Sequence, residues 1–157
     1  MKKEFQIPEE VIDVTNKLEK AGFEAFLVGG CVRDLILNKK PKDWDITTNA
    51  KPEQIISLFE KTFYENDFGT VGVVNEKTED ETLKVIEVTP YRIESKYSDN
   101  RHPDNVIFSQ KIEDDLQRRD FTINALAYSY SKKEVIDLYE GSKDIKDKVV
   151  CTVGNPT

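Results

Sequence analysis

A glycine pair at the end of an apolar run constrains the fold of this 157-residue chain more than any other feature. The segment Phe23–Val28 is predicted to be a buried strand, Gly29-Gly30 follows it directly, and a short helix is predicted from about Val32 to Leu37. Glycines permit a tight turn and a close approach of the backbone to a phosphate, which the first N–H groups of the next helix can bind. An ordinary strand-to-helix turn is the alternative interpretation.

Two aspartates, Asp43 and Asp45, lie shortly downstream and flank Trp44. If Asp43–Thr47 is a strand, both carboxylates project from one face and Trp44 from the opposite, buried face. Two close negative charges are costly unless a cation neutralises them, and Mg²⁺ prefers oxygen ligands. Two solvated acids at a strand end are the alternative, but the nearby glycine pair favours a metal site.

A third acid, Glu87, lies within the apolar run Leu83–Pro90. Alternation along a strand places it on the same face as Val85 and Thr89. There it would supply the third carboxylate that activates a hydroxyl between two metal ions. An outward-facing strand acid fits the pattern about as well.

Arg33 and Asp34 follow the glycine pair. The guanidinium of Arg33 could reach a triphosphate oxygen, and Asp34 could lock the turn by accepting backbone or arginine hydrogen bonds. A surface ion pair of little energetic consequence is the alternative.

The segment Arg118–Leu126 carries a second polar cluster. Asp120 and Asn124 are four residues apart and would be neighbours on a helix face, from which they could bind a ribose, while Arg119 could meet phosphate. A helix-capping role for Asp120 is the plainer alternative.

The order of predicted elements indicates a mixed α/β (α+β) domain. A polar stretch without periodicity, from Glu94 to Asn105, is predicted to be a long mobile loop. Further helices are predicted from Pro8 to Ala21, from Pro52 onward, and from Ile112 to about Leu126 with a break near Asp120; further strands are predicted at Phe68–Val74, Leu83–Pro90 and Glu134–Tyr139.

Composition narrows the class of protein. There are 23 Lys and Arg against 30 Asp and Glu, a net charge of −7, which argues against tight nucleic-acid binding by this chain alone but not against a small-nucleotide site. No apolar run approaches the roughly 18 residues of a membrane span. The first residues lack the apolar core of a signal peptide, and the two cysteines indicate no disulfide scaffold, so we expect a cytoplasmic protein.

Two ordered motifs resemble those of the class II tRNA nucleotidyltransferases, the CCA-adding enzymes, whose signature bacterial poly(A) polymerases share. The resemblance extends across nearly the whole chain. The first motif is matched by Leu27–Asp34 with Lys42–Pro52 and the second by Arg118–Ala127; Glu87–Arg92 and the loop Tyr97–Phe108 also fit.

The resemblance implies a DNA polymerase β-like head, a mixed sheet flanked by helices. By it, Asp43 and Asp45 bind Mg²⁺ and Glu87 is the third carboxylate. It also implies that Gly29, Gly30 and Arg33 contact the triphosphate, and that Asp120 and Asn124 read the ribose.

The implied activity is addition of CMP and AMP from CTP and ATP to the 3′ end of tRNA. A poly(A) polymerase, a CC-adding or A-adding enzyme, and a non-catalytic Mg-nucleotide-binding module are the alternatives.

The ending departs from the family pattern. Val153–Thr157 resembles the point where members continue into a helical neck, and no Glu-Asp-x-x-Arg base-selecting motif follows. We therefore expect residues 1–140 to form the head and 141–157 the start of the neck, with the rest of the neck, the body and the tail absent. Such a fragment would have low activity, since most of the tRNA grip would be missing. Oligomeric state is not indicated.

Overall fold

The structure is a computed structural model that describes residues 2–65, 69–93 and 107–154. The α-helices are α1 (Glu9–Lys20), α2 (Gly30–Ile36), α3 (Pro52–Leu58), α4 (Ile112–Gln117) and α5 (Gly141–Lys146), with short 3-10 helices at Glu81–Leu83 and Thr122–Asn124. The strands are β1 (Ala25–Val28), β2 (Asp45–Thr48), β3 (Thr62–Tyr64), β4 (Val71–Val74), β5 (Val85–Pro90), β6 (Arg92–Ile93), β7 (Ile107–Phe108), β8 (Leu126–Ser129) and β9 (Glu134–Asp137).

Seven strands form one mixed sheet in the order β3-β4-β5-β2-β1-β8-β9. The neighbours β2 and β5 are parallel, and the other pairs in this sheet are antiparallel. Strands β6 and β7 form a separate two-stranded ribbon. The expected α/β class with a mixed sheet and flanking helices is confirmed.

One face of the sheet carries the larger apolar core. Leu27 on β1 stands opposite Ile46 on β2, and Ile46 stands opposite Val88 on β5, so the register lines up one continuous buried row. The amphipathic helix α1 packs Val11, Val14 and Leu18 onto this core, and Ile55 of α3 joins it. Burial of these side chains is the main force that fixes the strand register.

The opposite face carries a smaller core and the polar side chains. Val28 and Ala127, paired across β1 and β8, pack against Ile112 and Leu116 of α4. Asp45 and Glu87, on β2 and β5, project from this same face and are half-buried. Helix α4 therefore packs on the same face of the sheet from which the acids project.

The predicted helix from Ile112 to Leu126 is partly wrong. Helix α4 ends at Gln117, the chain turns near Asp120 as expected, and Leu126 begins strand β8. All four residues of β8 are buried between β1 and β9. A short apolar run of this kind fits a central strand as well as a helix, and tertiary pairing decides between them.

Other boundaries differ by a few residues. Strand β1 begins at Ala25 rather than Phe23, and α2 begins at Gly30, two residues earlier than predicted. Strand β3 and helix α5 were not predicted. The loop predicted over 94–105 and the residue Phe68 lie outside the described residues.

Helix α5 contacts the segment that carries the second motif. The hydroxyl of Thr122 donates to Asp144 at 2.5 Å, and a Cβ on Gly141 would overlap the carbonyl oxygen of Thr122. The domain boundary at 140 stays a prediction.

In the described ranges no helix is long and apolar enough to cross a bilayer, and the cytoplasmic location also stays a prediction.

Candidate active site

Asp45 and Glu87 face each other across the parallel pair β2–β5. They are register partners, and the N–H of Glu87 donates to the carbonyl of Trp44 at 3.1 Å. Their carboxyl groups share a hydrogen bond. Burial raises the pKa of Asp45, and burial together with the charge of Asp45 raises the pKa of Glu87 to about 8. Without a cation, the pair therefore holds a proton between its two carboxyl groups near neutral pH.

Asp43 lies beside this pair but not on the strand. Strand β2 begins at Asp45, and Asp43 stands in the bend before it, so the prediction of a strand over Asp43–Thr47 is wrong at its start. The charge of Asp43 nonetheless raises the pKa of Asp45, which places the two acids near each other. Trp44 is 2% exposed and belongs to the larger core, as its predicted inward orientation requires.

Glu65 is an acid at this site that the sequence did not reveal. It follows the edge strand β3, and its side chain hydrogen-bonds to Glu87. Its charge also raises the pKa of Asp45. The segment around Glu65 has no periodicity that would have assigned it to the site.

The donor chemistry of the pair fits a hard divalent cation. Asp45 and Glu87 offer only oxygen atoms as ligands. When a divalent cation binds two half-buried carboxylates that share a proton, it displaces that proton. Across residues 2–65, 69–93 and 107–154, however, no three Asp, Glu, His or Cys side chains are already arranged as a metal site. Two carboxylates are enough for Mg²⁺ when the phosphates of a substrate supply further oxygen ligands.

A guanidinium group lies over each glycine of the predicted phosphate turn. Gly29 has φ of +80°, a conformation that favours glycine, and its N–H is taken by the carbonyl of Leu126. A Cβ on Gly29 would lie 3.3 Å from Nη1 of Arg119, and one on Gly30 would lie 3.3 Å from Nη2 of Arg33. The absence of side chains at Gly29 and Gly30 thus permits the turn and also leaves space for the guanidinium groups of Arg119 and Arg33.

The structure brings Arg33, Asp34 and Asn124 together. Arg33 donates from Nη1 to Oδ1 of Asn124 at 2.9 Å, and from Nε and Nη2 to Oδ1 of Asp34, both at 3.2 Å. The 3-10 helix Thr122–Asn124 is thereby tied to α2. Asp34 accepts from arginine, whereas its part in binding a nucleotide stays a prediction.

Arg119 is held by Asp115, a residue that the sequence analysis did not single out. Asp115 is fully buried and accepts from Nη2 of Arg119 at 3.2 Å and from Nη2 of Arg118 at 3.1 Å. The spacing of three and four residues within the predicted helix was the available signal. The charge of Arg119 lowers the pKa of Asp45, so Arg119 lies between the glycine turn and the acids.

Asp120 and Asn124 are not neighbours on a helix face. Asp120 is exposed and precedes the 3-10 helix, while Asn124 ends it. The N-cap of this turn is Phe121, and among the described residues no side chain caps it, so the capping alternative for Asp120 is also wrong. The carbonyl of Asp120 accepts from the N–H of Val153 at 3.0 Å.

The fold of this chain is that of the nucleotidyltransferase heads of CCA-adding enzymes. The CCA-adding enzyme of Bacillus stearothermophilus, solved in complex with CTP, superimposes with a TM-score of 0.78 at 33% identity over 95% of this chain and 34% of its own. A tRNA nucleotidyltransferase solved with a primer tRNA and an incoming ATP analog gives a TM-score of 0.67 at 26% identity, covering 90% of this chain and 39% of its own.

The chain belongs to the poly A polymerase head domain family, whose sequence profile matches residues 25–151. A CCA-adding enzyme of Leuconostoc mesenteroides is 46% identical over 154 residues, which are 96% of this chain and 37% of the relative. One from Enterococcus faecalis is 45% identical over 148 residues, 94% of this chain and 35% of the relative. The chain thus spans about a third of the length of these curated relatives, and nucleotidyltransferases of this family use divalent metals.

Proposed function

We propose that this chain is the catalytic head of a CCA-adding enzyme, which transfers CMP and AMP from CTP and ATP to the 3′ end of tRNA. The observation that carries the proposal is the juxtaposition of Asp45 and Glu87 with two guanidiniums at a glycine turn. Acids that can take a cation beside arginines that can take a triphosphate are what nucleotidyl transfer requires. The similarity to CCA-adding enzymes supports the choice of substrates.

The arginines and the turn bind the triphosphate in this proposal. Arg33 and Arg119 neutralise phosphate oxygens, and the first amides of α2, which have no partner inside the helix, donate to them. Asn124 accepts from Arg33 through Oδ1, so its amide nitrogen is left to donate to a ribose oxygen. Asp120, exposed at the preceding turn, accepts from a ribose hydroxyl.

Asp43, Asp45 and Glu87 are the residues that would hold Mg²⁺. When bound, the metal supplies a Lewis acid for the α-phosphate and lowers the pKa of the attacking 3′-hydroxyl. The proton shared between Asp45 and Glu87 must first leave the pair, so both carboxylates are charged before the reaction. Glu87 then accepts the proton of the 3′-hydroxyl as the 3′-oxygen attacks the α-phosphorus in line, and pyrophosphate leaves with its charge held by Arg33 and Arg119.

A poly(A) polymerase is the second candidate, because the family profile carries that activity in its description. The two differ in substrate: a CCA-adding enzyme uses CTP and then ATP on tRNA, whereas a poly(A) polymerase uses ATP alone on RNA ends in general. Choice of base and grip on tRNA belong, in our proposal, to the two thirds of the relatives that this chain does not span.

Transfer is tested by joining residues 1–157 to the remaining part of the Leuconostoc mesenteroides enzyme, in place of its own head. The chimaera is given tRNA lacking CCA, with labelled CTP and ATP separately and together. We expect two C residues with CTP, a final A only when both are present, and no product from Asp43→Ala or Asp45→Ala chimaeras.

Long A tracts from ATP alone would favour the poly(A) alternative. Mg²⁺-dependent CTP binding without any transfer would favour the non-catalytic module, and turnover by the aspartate variants would contradict the metal assignment.

A further inference from the structure

The carboxylate of Asp115 is buried and paired on both oxygens, which a carboxylate on the solvent-facing side of a helix does not need. Asp115 lies in the last turn of α4, and its carboxylate side chain is 0% exposed. A buried carboxylate is costly unless it is paired and hydrogen-bonded on both oxygens. This cost is offset here by ion pairs with two arginines that follow Asp115 in the chain.

The two oxygens of Asp115 serve different arginines. Oδ1 accepts from Nε and Nη2 of Arg118 at 3.2 and 3.1 Å, and Oδ2 accepts from Nη2 of Arg119 at 3.2 Å. The side chains of Arg118 and Arg119 are themselves only 15% and 19% exposed. The carboxylate therefore fixes both guanidiniums, which would otherwise repel each other.

Arg119 is fixed at one end and open at the other. Nη2 is bound to Asp115, while Nη1 lies over the glycine turn, 3.3 Å from where a Cβ of Gly29 would be. Its Nε is buried with no hydrogen-bond partner in the part of the chain that the structure describes. A guanidinium held in this way presents donors to the turn without a further loss of side-chain entropy when an anion arrives.

We infer that Asp115 is a positioning residue for triphosphate binding: it holds the Arg119 guanidinium over the Gly29 turn, so that the affinity for the β- and γ-phosphates of a nucleotide depends on a residue that touches neither. The inference rests on the proposed function, because it requires a nucleotide at this turn. Arg33 is fixed separately, by Asp34 and Asn124, so removal of the Asp115 charge acts on one of the two phosphate-binding arginines.

The test compares binding of CTP and CMP to the 157-residue chain by calorimetry in Mg²⁺. Asp115→Asn should weaken CTP by about tenfold, the size of one charge-assisted contact, and should change CMP by less than about twofold. A merely structural role would lower both affinities together. Asp114→Asn is the matched control: it makes the same change one residue away, where the carboxylate accepts from Ser109 instead of an arginine, and both affinities should stay unchanged.

Two further variants keep the test decisive. The double variant Asp115→Asn with Arg118→Gln removes one charge of each sign, so it preserves the charge of the cluster if Asp115→Asn alone fails to fold. It should show the same selective loss for CTP. In an Arg119→Lys background, Asp115→Asn should change CTP affinity by less than about twofold, because the two changes disable the same contact.

The outcomes separate this inference from the proposed function. If Arg119→Lys weakens CTP while Asp115→Asn and the double variant do not, the positioning role is overturned and the nucleotide site stands. Equal losses for CTP and CMP in both Asp115 variants would also overturn it. If the unmodified chain does not prefer CTP to CMP, the phosphate site itself fails, and both proposals fail with it.

Discussion

Cys31 shows how one residue at the turn is tied to the sheet below it. Its buried thiol donates to the carbonyls of Val28 and Asp45, at 3.4 and 3.8 Å, so it bridges the ends of β1 and β2 behind the site. Burial raises the pKa of this thiol to about 12. A thiol in that state is a structural group and not a nucleophile.

Alkylation of Cys31 should therefore require unfolding. At pH 8 only about one Cys31 in ten thousand is a thiolate, given a pKa of about 12, and the side chain is buried. Cys151 is only partly buried. With iodoacetamide and mass spectrometry we expect label on Cys151 alone in the native chain and on both in urea. A Cys151→Ser variant should take no label until unfolded, and native labelling of Cys31 at a rate close to that of Cys151 would contradict the assignment.

Asp120→Ala should reduce the preference for ribonucleotides. In our proposal this exposed carboxylate accepts from a ribose hydroxyl, so its loss should bring the CTP and dCTP affinities closer by several-fold. Calorimetry with both nucleotides in Mg²⁺ measures the ratio. Asp147→Ala, at the end of α5, is the control; an unchanged ratio in Asp120→Ala would remove Asp120 from the ribose site.

At the scale of elements, the proposed nucleotide site depends on the turn between β1 and α2. It has a backbone at Gly29 that other residues rarely adopt, with the guanidinium of Arg119 directly above. A side chain at position 29 would therefore have two separate effects: it would strain the backbone, and it would displace the guanidinium of Arg119.

Gly29→Ala and Gly22→Ala separate these effects. Gly22 also has positive φ, of +93°, but a Cβ there would meet nothing within 4 Å. Both variants should lose roughly 1–3 kcal/mol of stability from backbone strain. Only Gly29→Ala should also weaken CTP, by about tenfold through Arg119. Chemical denaturation and calorimetry measure the two effects. Equal CTP affinity in both variants would show that Arg119 does not act through this turn.

Elements with strong local patterns were predictable, and those decided by tertiary contacts were not. The alternation around Glu87 and the amphipathic helix α1 are local signals, and both appear in the structure. Strand β8 was not predicted: the predicted helix ended at about Leu126, and the short apolar run that follows is buried at every residue and shows no alternation. Glu65 enters the site through a side-chain hydrogen bond that no periodicity records. Asp115 enters it through two ion pairs whose only local signal is a spacing of three and four residues.

At the scale of the whole molecule, the acids make stability depend on pH and on metal. Burial and the charge of Asp45 raise the pKa of Glu87 from 4.5 to about 8. Between these values the folded chain binds more protons than the unfolded chain, so the contribution of Glu87 to stability is present at low pH and is lost as pH rises toward 8.

Thermal melts in EDTA should therefore show a destabilising slope between pH 5 and 8 that Glu87→Gln flattens. Mg²⁺ should raise the melting temperature more at pH 8 than at pH 6, since it replaces the lost proton. Glu76→Gln is the control, because Lys61 lowers the pKa of that exposed acid and it does not titrate in this range. A slope unchanged in Glu87→Gln would contradict the assignment of the shared proton.

The central claim is that the acids of β2 and β5 and the arginines at the glycine turn form one Mg-nucleotide site. Calorimetric titration of CTP into the 157-residue chain, with Mg²⁺ and then with EDTA, tests it most directly. We expect binding that requires Mg²⁺, that Asp45→Asn abolishes, and that Glu134→Gln at the far edge of the sheet leaves intact. CTP binding of equal strength in EDTA, or undiminished in Asp45→Asn, would contradict the claim.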